Sequence, residues 1–178
     1  KIKKAAYRFG SGQLSGIPLR PDADWRDYVP TEELQNRNGT ESSACYVHAQ
    51  QKTIATIQEE QFNLPDKNYS ERFNALLSYG TPQGGDPVVA AQSIRHDGLI
   101  PDEMLPFSPE IQSWDEFHSF EGGNEATCRN EGKKWLTEWK PNYDIVFTKS
   151  ESVKYKYLKL KQALKYSPVP VSVTAWYE

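Results

Sequence analysis

Glu41-Ser42-Ser43-Ala44-Cys45-Tyr46-Val47-His48-Ala49-Gln50 puts a cysteine just past a short polar turn, at the start of a segment with helical periodicity. The first turn of a helix leaves backbone N–H groups unpaired and carries a partial positive charge. A thiol there is favoured as thiolate, the nucleophilic form, and the same N–H groups can hold an oxyanion. Val47, Ile54 and Ile57, with Tyr46 and Ala55, form an apolar stripe of helical period from about Ala44 to about Gln61. Ser42 or Ser43 is positioned to cap that helix. A cysteine at a helix start is more often a small buried hydrophobe, so the flanking sequence has to decide between the two.

Working outward, six landmarks occur in order: Pro21-Asp22-Ala23-Asp24-Trp25-Arg26, Ser42 to Ala49, Tyr69-Ser70-Glu71-Arg72-Phe73, Ser78 to Asp86, His96 to Phe107, and Ala163 to Val173. Together they resemble the papain-like cysteine peptidases. The opening is similar to that family's P-x-x-x-D-W-R. Ser42-Ser43-Ala44-Cys45-Tyr46 is similar to its Cys-Gly-Ser-Cys-Trp block, and Gly84-Gly85 to its glycine-rich G-C-N-G-G loop. Ala163 to Val173 looks like the family's junction from a helix into the strand P-V-S-V. A looser likeness connects Glu33-x-Gln35, an extended loop and Ala44-Cys45 with divergent bacteriophage and prophage members.

The resemblance implies an α+β fold with two lobes, a helical lobe carrying Cys45 and the beginning of a β-rich lobe. It implies an extended arm over residues 1–20, the helical lobe over 21–107, and an insertion plus the start of the β-rich lobe over 108–178. Cys45 would be the nucleophile, and the Gly84 and Gly85 backbone would bind substrate. The unaided reading of Gly84-Gly85 is an ordinary surface turn after Pro82. The family's oxyanion glutamine lies six residues before the nucleophile, where this chain has Gly39. Gln35 is the favoured replacement if residues 36–41 are an enlarged loop, with Asn38 second.

The family's general base would fall roughly 25–35 residues beyond Pro170, past Glu178. His48 lies three residues after Cys45 and so points along the helix; it, His96 and His118 are read as packing or surface residues. Both ends therefore read as products of processing or truncation. The expected partners are a peptide or protein substrate and a second chain completing the β-rich lobe. A different class of function is a catalytically inactive structural or interaction protein, for instance a phage component.

The remaining composition narrows the choice. Asp plus Glu number 24 against 21 Lys plus Arg, and no basic stripe follows a predicted helix, which argues against nucleic-acid binding. No apolar run is long enough for a membrane span, and no signal-peptide core is present. Two cysteines, Cys45 and Cys128, are too few for a disulfide framework and fit a reducing compartment such as a bacterial host cytoplasm, or a virion. Cys45-x-x-His48 lacks the second ligand pair of a structural zinc site, and the resemblance to cysteine peptidases implies no metal or organic cofactor.

Further helices are expected over Tyr69–Leu77, Pro87–His96 and Tyr155–Lys165, with short ones among the aromatic residues of 108–140. Strands are expected over Tyr143–Phe147 and Val169–Trp176.

Overall fold

The longest helix, α1 (Cys45–Phe62), follows the apolar stripe, burying Tyr46, Val47, Ile54, Ala55 and Ile57. It ends at Asn63, whose left-handed φ of 49° lets its N–H reach the carbonyls of Gln58 and Glu59. The computed structural model describes residues 8–9, 18–31, 33–37, 39–64 and 67–172. Asn38 and most of the leading arm lie outside them.

Two further helices complete the layer around α1. Ser70 caps α2 (Glu71–Leu77) by accepting from the Phe73 N–H at 3.2 Å. Asp86 caps α3 (Pro87–Asp97) by accepting from Val88 N–H at 2.8 Å, with proline in the first turn, where its missing N–H costs nothing. Asn74 locks the three together. Its side-chain oxygen accepts from Gln51 on α1, and its nitrogen donates to Ser93 Oγ on α3 and to the Gly98 carbonyl, each at 3.0–3.1 Å.

Residues 108–140 pack onto this layer as a four-residue turn of helix, α4 (Trp114–Phe117), and the 14-residue α5 (Glu125–Glu138). Gly98 (φ 80°) and Gly132 on α5 let two backbones touch: a Cβ on either would come within 2.0 Å of a carbonyl oxygen, that of Gly132 or of Asp97. Arg72, only 2% exposed, turns inward and donates to the carbonyls of Pro106, Glu116, Phe117, Ser119 and Glu121 at 2.8–3.2 Å. Phe117 and Trp139 are buried, in keeping with a core role for the aromatic residues of this region.

Strands are few and short, and the chain is a helix-dominated α+β structure. β1 (Arg8–Phe9) pairs in parallel with β4 (Lys140–Pro141), and β2 (Asn36–Arg37) pairs antiparallel with β3 (Thr40–Glu41). The expected strand Tyr143–Phe147 is irregular, and so are residues 169–172; Val173 to Trp176 lie outside the described residues. A β-propensity run becomes a strand only when a neighbour accepts its N–H groups, and Pro168 and Pro170 have none to offer. The helix expected over Tyr155–Lys165 is α6 (Val153–Ala163), capped by Ser152, and it is the last described element. No helix among the described residues is long and apolar enough to cross a membrane.

Candidate functional site

The turn that carries Cys45 is assembled from three segments. Cys45 is the first residue of α1 and is exposed, whereas Ala44 and Tyr46 on either side are buried. The expected serine cap is not made. Ala44 occupies the cap position without a side-chain hydrogen bond, so the first N–H groups of α1 are not taken up by a capping side chain. Ser43 adopts a left-handed φ of 54°, and its hydroxyl donates instead to the Pro82 carbonyl at 2.8 Å. Ser42 turns inward and accepts from Ala44 N–H.

That Ser43–Pro82 bond draws the glycine loop against the start of α1. Thr81 and Gly84 exchange both backbone hydrogen bonds across a tight turn, and Gly84 takes φ 108°. An added Cβ at Gly84 would sit 3.8 Å from the Ser43 carbonyl oxygen. The buried Tyr46 ring runs beneath the loop, and its hydroxyl accepts from Ser78 Oγ at 3.3 Å. Burial pushes the Tyr46 phenol up, so it stays neutral. Gly84 and Gly85 are therefore both a surface turn and the immediate neighbours of the Cys45 turn.

Gln35 approaches from the other side. The β2–β3 hairpin closes with Ser42 N–H donating to the Gln35 carbonyl at 3.0 Å, which sets Gln35 next to the residue three before Cys45. Thr40 anchors the hairpin, buried and bonded to the Ile111 carbonyl. The runner-up, Asn38, lies outside the described residues.

The histidines have other work. His118 Nδ1 donates to the Trp114 carbonyl at 3.1 Å while the ring stacks on the Trp114 indole. Burial, with a smaller effect from the Arg72 guanidinium, lowers its pKa. His96 is exposed in the last turn of α3.

His48 is not simple packing: its Nδ1 lies 3.3 Å from Glu71 Oε1, with both side chains largely enclosed. Glu33 completes a group whose ligating atoms all lie within 4.8 Å of one another. Burial drops the His48 pKa to about 4, so the imidazole is neutral. Burial, then the hydrogen-bonded Glu33 carboxyl, pushes Glu71 up to about 9, so it holds a proton near neutrality. Sequence reasoning missed this group because its members come from three separate elements, with no shared motif spacing.

A cavity of about 1050 Å³ lies elsewhere, between α1 and α3 on one side and residues 141–147, α6 and residues 166–172 on the other. Gln50, Ile54, Val88 and Ala91 form one wall, and Cys45 is not part of its lining. Compared with family models, curated proteins and solved structures, the chain finds no match.

Proposed function

We propose that this chain is the nucleophile-bearing part of a papain-like cysteine peptidase, acting on peptide bonds through Cys45. The observation that carries the reading is the exposed Cys45 thiol at the uncapped start of α1, beside the Gly84–Gly85 turn. Ser43 adds support. It stands where the resembled block has glycine, and it adopts the left-handed backbone that favours glycine. The hairpin adds more, because it sets Gln35 beside Ser42 despite the lengthened sequence between Gln35 and Cys45.

In this reading the Cys45 thiolate attacks the scissile carbonyl carbon and the carbonyl π pair moves onto oxygen. The Cys45 N–H and the Gln35 amide hold that oxyanion. Collapse expels the amine, which takes a proton from a histidine supplied from outside residues 1–178. Water then cleaves the thioester, releasing acid and regenerating the thiol. Backbone groups at Gly84 and Gly85 pair with the extended substrate, where a side chain would obstruct its approach. No step requires a metal or an organic cofactor.

One observation favours the rival, a non-catalytic interaction protein built on the same lobe. Among the described residues no hydrogen bond joins a histidine to Cys45: His48 Nδ1 is paired with Glu71 and His118 Nδ1 with the Trp114 carbonyl. A peptidyl vinyl sulfone or epoxide separates the two readings. The peptidase reading expects it to modify Cys45 stoichiometrically in the parent protein, to leave Cys128 untouched, and to be blocked by Cys45→Ser. Modification of both thiols at similar rates sinks it.

A further inference from the structure

Glu33, His48 and Glu71 have no part in the chemistry above. Glu33 lies in the strap leading to β2, His48 sits one turn into α1, and Glu71 opens α2. Their side chains are 16%, 13% and 7% exposed, so two carboxyl groups and an imidazole share one nearly dry space. Among the described residues the cation in contact is Lys52, 3.1 Å from Glu33 Oε2, and its ammonium is shared with the Thr31 carbonyl. Arg37, farther off, is occupied by the Phe107 carbonyl and ring. Asp102 adds more negative charge to the surroundings of Glu71.

Enclosing two carboxylates against a neutral imidazole is costly unless a cation or a proton offsets the charge. Independently of the acids, His48 Nε2 is enclosed and has no hydrogen-bond partner among the described residues. A divalent cation held by the two carboxyl groups would offset their charge and give the imidazole a partner.

We propose that Glu33, His48 and Glu71 form a divalent metal site of the zinc class, tying the strap that carries Gln35 to α1 and α2. One imidazole nitrogen and two carboxylate oxygens suit a borderline ion such as Zn²⁺, whereas Mg²⁺ and Ca²⁺ prefer all-oxygen shells. The Cys45 sulfur does not belong to the group, so the ion acts as a staple near the nucleophile turn and takes no part in the chemistry there.

The test is calorimetric titration of the chelator-treated, dialysed full chain with zinc chloride at pH 7, alongside Cys45→Ser, His48→Ala and Glu33→Gln. The expected result is one saturable equivalent in the wild type and in Cys45→Ser. His48→Ala and Glu33→Gln are each expected to bind at least about tenfold more weakly while keeping the wild-type circular dichroism spectrum. Zinc should also raise the thermal midpoint of the wild type and not that of His48→Ala. Three outcomes overturn the site: absence of saturable binding, binding unchanged in His48→Ala and Glu33→Gln, or binding lost only in Cys45→Ser.

Discussion

The ring of Tyr46 lies so close to Gly85 that a single added carbon on the glycine would come within 2.3 Å of Tyr46 Cζ. Tyr46 is 4% exposed and held from below by Ala75, Ala90 and Phe117 in the same core cluster, so it has nowhere to retreat. The residue after the thiol and the loop beside the thiol therefore form one packed unit.

Gly85→Ala should accordingly destabilise the chain by about 1–3 kcal/mol, the usual cost of overpacking. Urea unfolding followed by tryptophan fluorescence measures it. Gly39→Ala is a useful contrast, because nothing lies within 4 Å of its added carbon and only its φ of 80° opposes the change. Its loss should be the smaller of the two, about 1 kcal/mol.

Arg72 gives a larger effect. Five backbone carbonyls converge on its guanidinium, which carries the α4–α5 region on the α2 helix. Arg72→Ala leaves several of them enclosed without a donor and should cost at least about 3 kcal/mol. Arg72→Lys keeps the charge but not the fork of donors, and its urea midpoint should fall between those of wild type and Arg72→Ala.

His118 supplies a pH dependence with a definite sign. Its pKa in the folded chain lies below the ordinary 6.5, because burial disfavours the charged ring. The folded state thus binds fewer protons here than the unfolded one. The stabilisation is fully present above pH 6.5 and is lost as pH falls below it. In His118→Gln the loss of thermal stability on acidification should be shallower than in wild type, with the two curves closest at the acid end.

If the proposed peptidase reading holds, Gln35→Ala should lower kcat of the parent protein by about 10²–10³ with unchanged stability, as for one lost oxyanion donor. Peptide hydrolysis by matched amounts of Gln35→Ala and Asn38→Ala tells the two amides apart. A loss confined to Asn38→Ala would reassign the role.

The helices were legible because each carries its own local punctuation. Ser70 before α2, Asp86-Pro87 before α3 and Gly98 after it all act within a few residues of the helix they bound. The cap of α1 was misread because Ser43 had a distant alternative, the Pro82 carbonyl, that only tertiary packing could supply. Tyr143–Phe147 failed for a similar reason: apolar residues announce a wish to be covered, and a strand also needs a partner. Arg72 read as part of a helix start, with nothing to show that it would gather carbonyls from residues 106–121. The Glu33–His48–Glu71 group was hidden by the same separation along the chain. Cys45, by contrast, is exposed, unlike the buried hydrophobe that a cysteine at a helix start more often is.

The β2–β3 hairpin has a consequence in parity. Thr40 points into the core and Glu41 away from it, so side chains alternate across this ribbon. Relatives could add or drop residues in even steps, symmetrically about the turn, and both roots would stay put. A one-residue change in one strand would swing Thr40 out to solvent and force Glu41 towards Ile111. An odd change within either strand therefore needs a bulge or a turn of different length to absorb it.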